Sequence, residues 1–226
     1  KNASSYQSLT ARLKFDDIAE ETKWNHIVGN MYFPEDKIRG VFLQQDGFLD
    51  KELLTVSELN PEERPINQKW SWDRILRSCF IKQADVLQGF YFFEDHFDQE
   101  TIKRNFDFYE PMTVHESSLS PCVHVILASK LGYEDKAYEM YLRTSRLDLD
   151  DYNNDTEDGC HITSMAGTWM SVVKGFGGMR VLNDKLHLNP FIPKQWNSYS
   201  FRIEFRGRVL KVKVGKNRTE TFLESG

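Results

Sequence analysis

Three short stretches of this chain hold the residue types from which a reaction could be assembled. The first is Asp158-Gly-Cys-His-Ile-Thr-Ser-Met-Ala-Gly-Thr-Trp-Met-Ser-Val-Val-Lys-Gly-Phe-Gly-Gly-Met-Arg180, which sets His161, Thr163, Ser164 and Gly167 at the mouth of an apolar, helix-like segment. Small hydroxyls and an imidazole at a helix start suit an anion, because free backbone N–H groups and the positive end of the helix dipole both favour negative charge there. A plain capped helix that enters the core and stops at Gly175 fits the same spacing. The second stretch, His115-Glu116-Ser117-Ser118, puts an imidazole, a carboxylate and two hydroxyls in four residues. It suits acid–base chemistry or a sugar, and equally a polar cap with a solvated Glu. The third, Lys82-Gln83-Ala-Asp85, precedes an apolar helix. Its Lys and Gln suit hydroxyl or phosphate contacts; a surface Lys, with Asp85 opposing the helix dipole, is the plainer reading.

The remaining polar clusters point to less. The run Asp148-Leu-Asp-Asp-Tyr-Asn-Asn-Asp-Thr-Glu-Asp158 is acidic enough to attract calcium, but it lacks the Gly and terminal Glu of an EF-hand loop, so no calcium is expected. It adjoins the anion-friendly segment and must point away from it if that segment is to hold an anion. His26, His96, His124 and His187 stand alone and read as structural or solvated. No HExxH, P-loop or nucleophile elbow occurs, and no CxxC pairing supports a metal site.

The elements that must position these residues are mostly helical. Apolar periodicity predicts a helix over residues 13–31, followed by Pro34. Residues 41–49 are short and mixed, a strand or an extended wall segment. Residues 51–71, with Pro61 and Pro65, form a long polar excursion of the kind that often carries function. Helices are then expected over residues 72–80 and 83–93, from an Asp98 cap to about Tyr109, from Pro121 to near Gly132, and over 134–147, with the 158–180 segment as the last. Short links between them imply antiparallel neighbours. After Arg180 the period changes to two. Tyr199, Phe201, Ile203 and Phe205 alternate with polar residues, as do Leu210, Val212 and Val214, and Gly207 and the Gly215-Lys-Asn217 stretch mark turns. That is an antiparallel meander with one wet face. The expected division is 1–188 helical and 189–226 the start of a β domain.

Composition bounds the partners. With 226 residues the chain can bury one sizeable core. Its net charge of −5 and the mixing of Lys and Arg among Asp and Glu disfavour nucleic acid. No apolar run nears the roughly 18 residues of a membrane span. Cys79, Cys122 and Cys160 read as reduced, mostly buried thiols of a cytoplasmic protein, and the sequons at Asn2, Asn154 and Asn217 are discounted on that ground. Lys1 and Gly226 both look like cut ends, so a piece of a larger protein is expected.

Longer strings carry a resemblance. Asp151-Tyr-Asn-Asn-Asp-Thr-Glu-Asp-Gly159, His161-Ile-Thr-Ser-Met-Ala-Gly-Thr-Trp169 and Gly175-Phe-Gly-Gly-Met-Arg180 resemble glycoside hydrolase family 65. So do Lys82-Gln-Ala-Asp-Val86, Phe106-Asp-Phe-Tyr-Glu-Pro111, Thr113-Val-His-Glu-Ser-Ser-Leu-Ser-Pro121 and Asn189-Pro-Phe-Ile-Pro-Lys-Gln-Trp196. The likeness runs from about Trp24 to Val214 and is greatest to members that act on maltose. It implies a mainly α fold, the second half of an (α/α)6 barrel followed by a small antiparallel β domain. It implies inverting phosphorolysis of an α-glucoside, maltose plus phosphate giving β-glucose 1-phosphate plus glucose, with no metal or organic cofactor and phosphate as co-substrate. By that resemblance Lys82, Gln83 and Glu116 bind the sugar, and His161, Thr163, Ser164, His115, Ser117 and Ser118 serve the phosphate. The family's general acid, a Glu in an acidic, Asn-rich motif, matches nothing in this sequence and is expected upstream, so this chain alone is expected to be inactive. The expected partners are the disaccharide, phosphate, the preceding part of the same protein and a second copy in a homodimer. The alternatives are a hydrolase of the same family, a phosphorylase of trehalose or kojibiose, and a non-catalytic carbohydrate-binding module.

Overall fold

The computed structural model describes residues 3–225. It divides into two compact units, residues 1–34 and 35–226. In the first, the single helix expected over 13–31 is two: α1 (Ala3–Leu13) and α2 (Asp17–Gly29). The break has a local cause. Lys14 takes a positive φ of 52°, and the Asp16 side chain accepts from the Ala19 N–H, capping a new helix. No residue of α2 is buried, so its apolar periodicity does not mark a core face here.

The second unit opens with a two-residue ladder, β1 (Glu35–Asp36) against β2 (Val41–Phe42). Then come single turns of 3-10 helix, the short helices α3 (Ile66–Lys69) and α4 (Trp72–Arg77), and five longer ones: α5 (Val86–Phe92), α6 (Gln99–Tyr109), α7 (Pro121–Leu131), α8 (Glu134–Ser145) and α9 (Ile162–Met170). The cap signals hold. Asp98 accepts from the Thr101 N–H, Pro121 occupies the first turn of α7, and Gly132 closes it in the left-handed conformation.

Helix α7 is the centre of the unit. It is buried from Pro121 to Ala128 and has no polar stripe, the pattern of a helix enclosed on all sides. Helices α5, α6, α8 and α9 pack around it. On α6, Ile102, Asn105, Phe106 and Tyr109 face inward at helical spacing. Two of these are polar and anchor the second strand. Asn105 Oδ1 accepts from Phe42 N at 2.8 Å; the Tyr109 hydroxyl donates to Phe42 O at 2.7 Å and accepts from Gln44 N at 3.0 Å. Helix α9 approaches α7 and α8 through Gly167, where a Cβ would stand 3.0 Å from Cys122 Cβ and 3.1 Å from Thr144 Oγ1. It continues into a π-helical stretch, Ser171–Phe176.

The C-terminal part is antiparallel β, as the period-two pattern predicts. Strands β5 (Ser198–Phe205), β6 (Arg208–Gly215) and β7 (Arg218–Ser225) form a meander. Phe201, Ile203, Val212 and Val214 are buried while their neighbours face outward. A hairpin not foreseen from sequence precedes it, β3 (Arg180–Leu182) with β4 (Lys185–His187), turning on Asn183 and Asp184 at φ of 49° and 62°. An aromatic cluster links sheet to helices: Trp196 meets Tyr141, Phe176 and Tyr138 edge-on, and the Tyr199 hydroxyl lies 2.7 Å from Phe176 O and 3.0 Å from Phe191 O.

Candidate active site

The three sequence stretches meet: backbone pairing joins two of them, and a contact between hydroxyls brings in the third. Ile81 and Thr113 form a parallel bridge, with Ile81 N donating to Met112 O at 3.0 Å and Val114 N to Ile81 O at 2.9 Å. Residues 82 and 83 therefore emerge beside the loop 114–118. Ser117 Oγ then donates to Gln83 Oε1 at 3.0 Å, and Ser118 Oγ lies 2.5 Å from Thr163 Oγ1 on the first turn of α9. Gln83, Ser117, Ser118 and Thr163 thus form one continuous polar rim, with exposed Lys82 at one end and His161, at the start of α9, at the other. Lys82, Gln83 and Ser117 also line a cavity of about 300 Å³ together with Gln44, Lys51 and Asp85.

Three expected ligands lie behind this rim instead of on it. His115 is buried at φ 54°, its Nδ1 3.0 Å from Ser120 Oγ and its Nε2 3.2 Å from Glu110 Oε2. Burial pushes its pKa down to about 4, so the ring is neutral at pH 7 and both nitrogens are engaged, a poor phosphate ligand. Glu116 is not the solvated carboxylate of the plainer reading. Its side chain is 2% exposed, Oε1 pairs with Arg64 Nε at 3.3 Å, and Oε2 accepts from Ile66 N at 2.8 Å. It braces the excursion that leads into α3, and a sugar hydroxyl would have only its remaining lone pairs. Ser164 is buried and donates to Thr144 O at 2.6 Å, which fastens α9 to α8.

The framework behind the loop is charged. Glu110 Oε2 accepts from His124 Nδ1 at 2.5 Å and His115 Nε2 at 3.2 Å, and its Oε1 pairs with Lys136 at 3.1 Å. These hydrogen bonds hold its carboxyl well below the usual range despite burial. His124 Nε2 is buried with no partner. Protonating it would strand a donor, so the geometry selects the Nδ1–H tautomer. Glu110, His115 and His124 bring their ligand atoms within 4.8 Å of one another. The Lys136 ammonium on the same carboxylate opposes a cation there, and hydrogen bonds already use the atoms a metal would take.

The acidic run does not point away from α9. Asp148 Oδ1 lies 2.6 Å from His161 Nδ1, Asp148 Oδ2 accepts from the His161 N–H at 3.0 Å, and Asp155 Oδ2 is 3.5 Å from Nε2. The hydrogen bond from the ring to Asp148, with Asp155 nearby, raises the His161 pKa and favours the imidazolium. Cys160, beside it, is exposed, unlike buried Cys79 and Cys122; all three are free thiols.

Residues 2–170 match the Glycosyl hydrolase family 65 central catalytic domain, and residues 179–226 match the Glycosyl hydrolase family 65 C-terminal domain. The chain belongs to glycosyl hydrolase family 65. Within that family it is 59% identical to the maltose phosphorylase of Bacillus subtilis (strain 168) over 86% of this chain and 26% of that protein. It is 42% identical to the alpha,alpha-trehalose phosphorylase of Thermoanaerobacter brockii over 98% of this chain and 28% of that protein. A solved structure from the human microbiome, provisionally described as a kojibiose phosphorylase, superposes with a TM-score of 0.86 at 40% identity, covering 96% of this chain and 29% of that one. The chain spans about a quarter of the length of the curated relatives it matches. The mainly helical architecture with a small antiparallel C-terminal sheet is the fold class the resemblance implied.

Sequence reasoning found the rim but missed Gln44, Arg64 and Glu110. Gln44 Nε2 donates to Asp85 Oδ2 at 2.5 Å across the cavity mouth, so Asp85 has a partner beyond the helix dipole. Nothing local distinguishes Gln44, whose position depends on Tyr109, 65 residues away. Glu110 lies in a resemblance-bearing string and had no role assigned.

Proposed function

We propose that this chain supplies the phosphate side and part of the sugar pocket of an inverting α-glucoside phosphorylase, with maltose as substrate. The observation that carries this reading is the contact between Ser118 and Thr163 beside His161: hydroxyls and a cation-favouring imidazole suit a phosphate, whereas an inverting hydrolase needs a free carboxylate to activate water, and the nearby Asp148 and Asp155 carboxylates face His161. Phosphate seated on Ser117, Ser118, Thr163 and His161 would attack the anomeric carbon from the face opposite the scissile bond. The new bond is C1 to phosphate oxygen, the bond broken is C1 to the leaving oxygen, and a carboxylic acid from a preceding part of the protein protonates that oxygen. The products are β-glucose 1-phosphate and glucose. Lys82 and Gln83, on the cavity side, would hold hydroxyls of the glucosyl ring. The maltose preference draws on the identity to the Bacillus subtilis protein.

The reading needs no organic cofactor or metal, phosphate being a co-substrate. The protein's other partners would be the preceding part of its own chain and a second copy in a homodimer. Among the described residues no helix is long and apolar enough to cross a membrane, and the three free thiols suit the cytoplasm, where we place the enzyme.

The decisive experiment is product analysis of the enzyme carrying this chain. Maltose should be consumed only when inorganic phosphate is present, with β-glucose 1-phosphate formed. Release of glucose without phosphate would overturn the reading. The variant Thr163→Val should raise the KM for phosphate about tenfold, as expected for loss of one hydrogen bond to a charged ligand, while moving the KM for maltose little.

A further inference from the structure

His161 is held in an unusual way for a residue at a helix start. It occupies the cap position of α9, yet its side chain caps nothing. Instead, one carboxylate grips both its ring and its backbone: Asp148 Oδ1 at 2.6 Å from Nδ1 and Oδ2 at 3.0 Å from the N–H. A carboxylate only accepts, so the Nδ1 proton lies toward Asp148, and Nε2, which faces Asp155 Oδ2 at 3.5 Å, is the nitrogen left for a further ligand. The charged groups facing the ring are Asp148, from the turn after α8, and Asp155, from the acidic segment, 3.5 Å from Nε2. That segment is itself tied down, Asp151 Oδ1 accepting from Asp155 N and Thr156 N at 3.1 Å each.

We propose that Asp148 is a positioning residue for the phosphate step: it clamps His161 so that the imidazolium presents its Nε2–H as a charged donor to the phosphate held by Thr163 and Ser118. The proposal rests on the phosphate-side reading of this rim. It makes a counterintuitive prediction. Simple electrostatics says that deleting a negative charge near an anion site tightens anion binding. A clamp that sustains the imidazolium predicts the reverse for Asp148, because its loss lets His161 deprotonate and turn.

The test uses the whole enzyme carrying this chain, with histidine-selective labelling, following the His161 ring by NMR across pH 5 to 9 with and without inorganic phosphate. In the wild type, phosphate should shift the His161 resonances and move its titration upward. In Asp148→Asn, nearly isosteric and at a part-exposed position, the titration should move down. Phosphate affinity at pH 8 should fall by about tenfold for each pH unit of that movement, while at pH 5.5, where the ring is charged in both proteins, the difference should shrink. Asp155→Asn leaves the Nδ1 clamp in place, so it should lower the His161 titration and the phosphate affinity at pH 8 less than Asp148→Asn does; an equal or larger fall would count against the clamp. If phosphate perturbs His161 in the wild type but Asp148→Asn leaves both its titration and its phosphate affinity unchanged, or tightens phosphate, the positioning role is wrong and the phosphate reading survives. If phosphate leaves the wild-type ring untouched, the phosphate reading fails and takes the inference with it.

Discussion

The buried His115 makes stability fall with acid in a way that can be worked out and checked. An ordinary imidazole titrates near 6.5, and His115 in the fold near 4. Between those values the unfolded chain binds a proton that the folded one refuses. The stability from its neutral form is therefore fully present above pH 6.5 and drains away as pH falls toward 4. Linkage gives a loss of about 2 kcal/mol from pH 7 to pH 5, and about 3 kcal/mol by pH 4. Glu110 adds little between pH 7 and pH 5, because its depressed carboxyl starts to lose its contribution only as pH falls through the ordinary Glu value of about 4.5. His161 acts with the opposite sign: its raised value gives stability present below pH 6.5 and lost as pH climbs. The absolute slope therefore mixes both, and a variant isolates His115. Asn tolerates the left-handed backbone at φ 54°, so His115→Asn removes the titration while keeping the chain path. Urea midpoints read by tryptophan fluorescence at pH 5, 6 and 7 should show the wild type losing about 2 kcal/mol more than the variant on acidification. Parallel pH dependences for the two proteins would refute the claim that this imidazole is held neutral.

Two packing predictions follow from the same framework. Gly167→Ala would bring a Cβ to 3.0 Å from Cys122 Cβ and 3.1 Å from Thr144 Oγ1, both buried side chains that must give way, so thermal unfolding should show a loss of about 1–3 kcal/mol; an unchanged Tm would mean that α9 is loosely seated. Glu116→Gln leaves the Arg64 guanidinium without its carboxylate and turns an acceptor partly away from Ile66 N. With Arg64 one-third exposed the cost should be about 2 kcal/mol, visible as a lower urea midpoint and earlier proteolysis of the segment around residues 60–70.

What the sequence made legible was periodicity and punctuation. Asp98, Pro121 and Gly132 bounded their helices because each acts through its own backbone neighbours, and the meander was readable because one buried face imposes a period of two. The break at residues 14–16 was missed because an apolar period ran through it while a cap competed with the continuing helix. The hairpin at residues 180–187 was missed because three-residue strands carry too little pattern to register.

The candidate site was legible as stretches of sequence and illegible as an arrangement, and the loop 115–118 shows why. Four consecutive polar residues look alike on paper, yet His115 and Glu116 face the interior while Ser117 and Ser118 face the rim. The partition depends on a left-handed backbone at His115 and on partners far along the chain: Glu110 and Ser120 for the imidazole, Arg64 and Ile66 for the carboxylate. Local composition cannot encode such partners, because the cost of burying Glu116 is offset only once the excursion at 51–71 has folded back to meet it. The same holds for the acidic run. Its net charge argues against an anion nearby, until Asp148 is seen to spend its charge on His161. If His161 serves the proposed phosphate, a carboxylate that holds its imidazolium in place contributes through the cation it sustains, so the sign of its effect follows from the hydrogen bond it makes and not from its own charge.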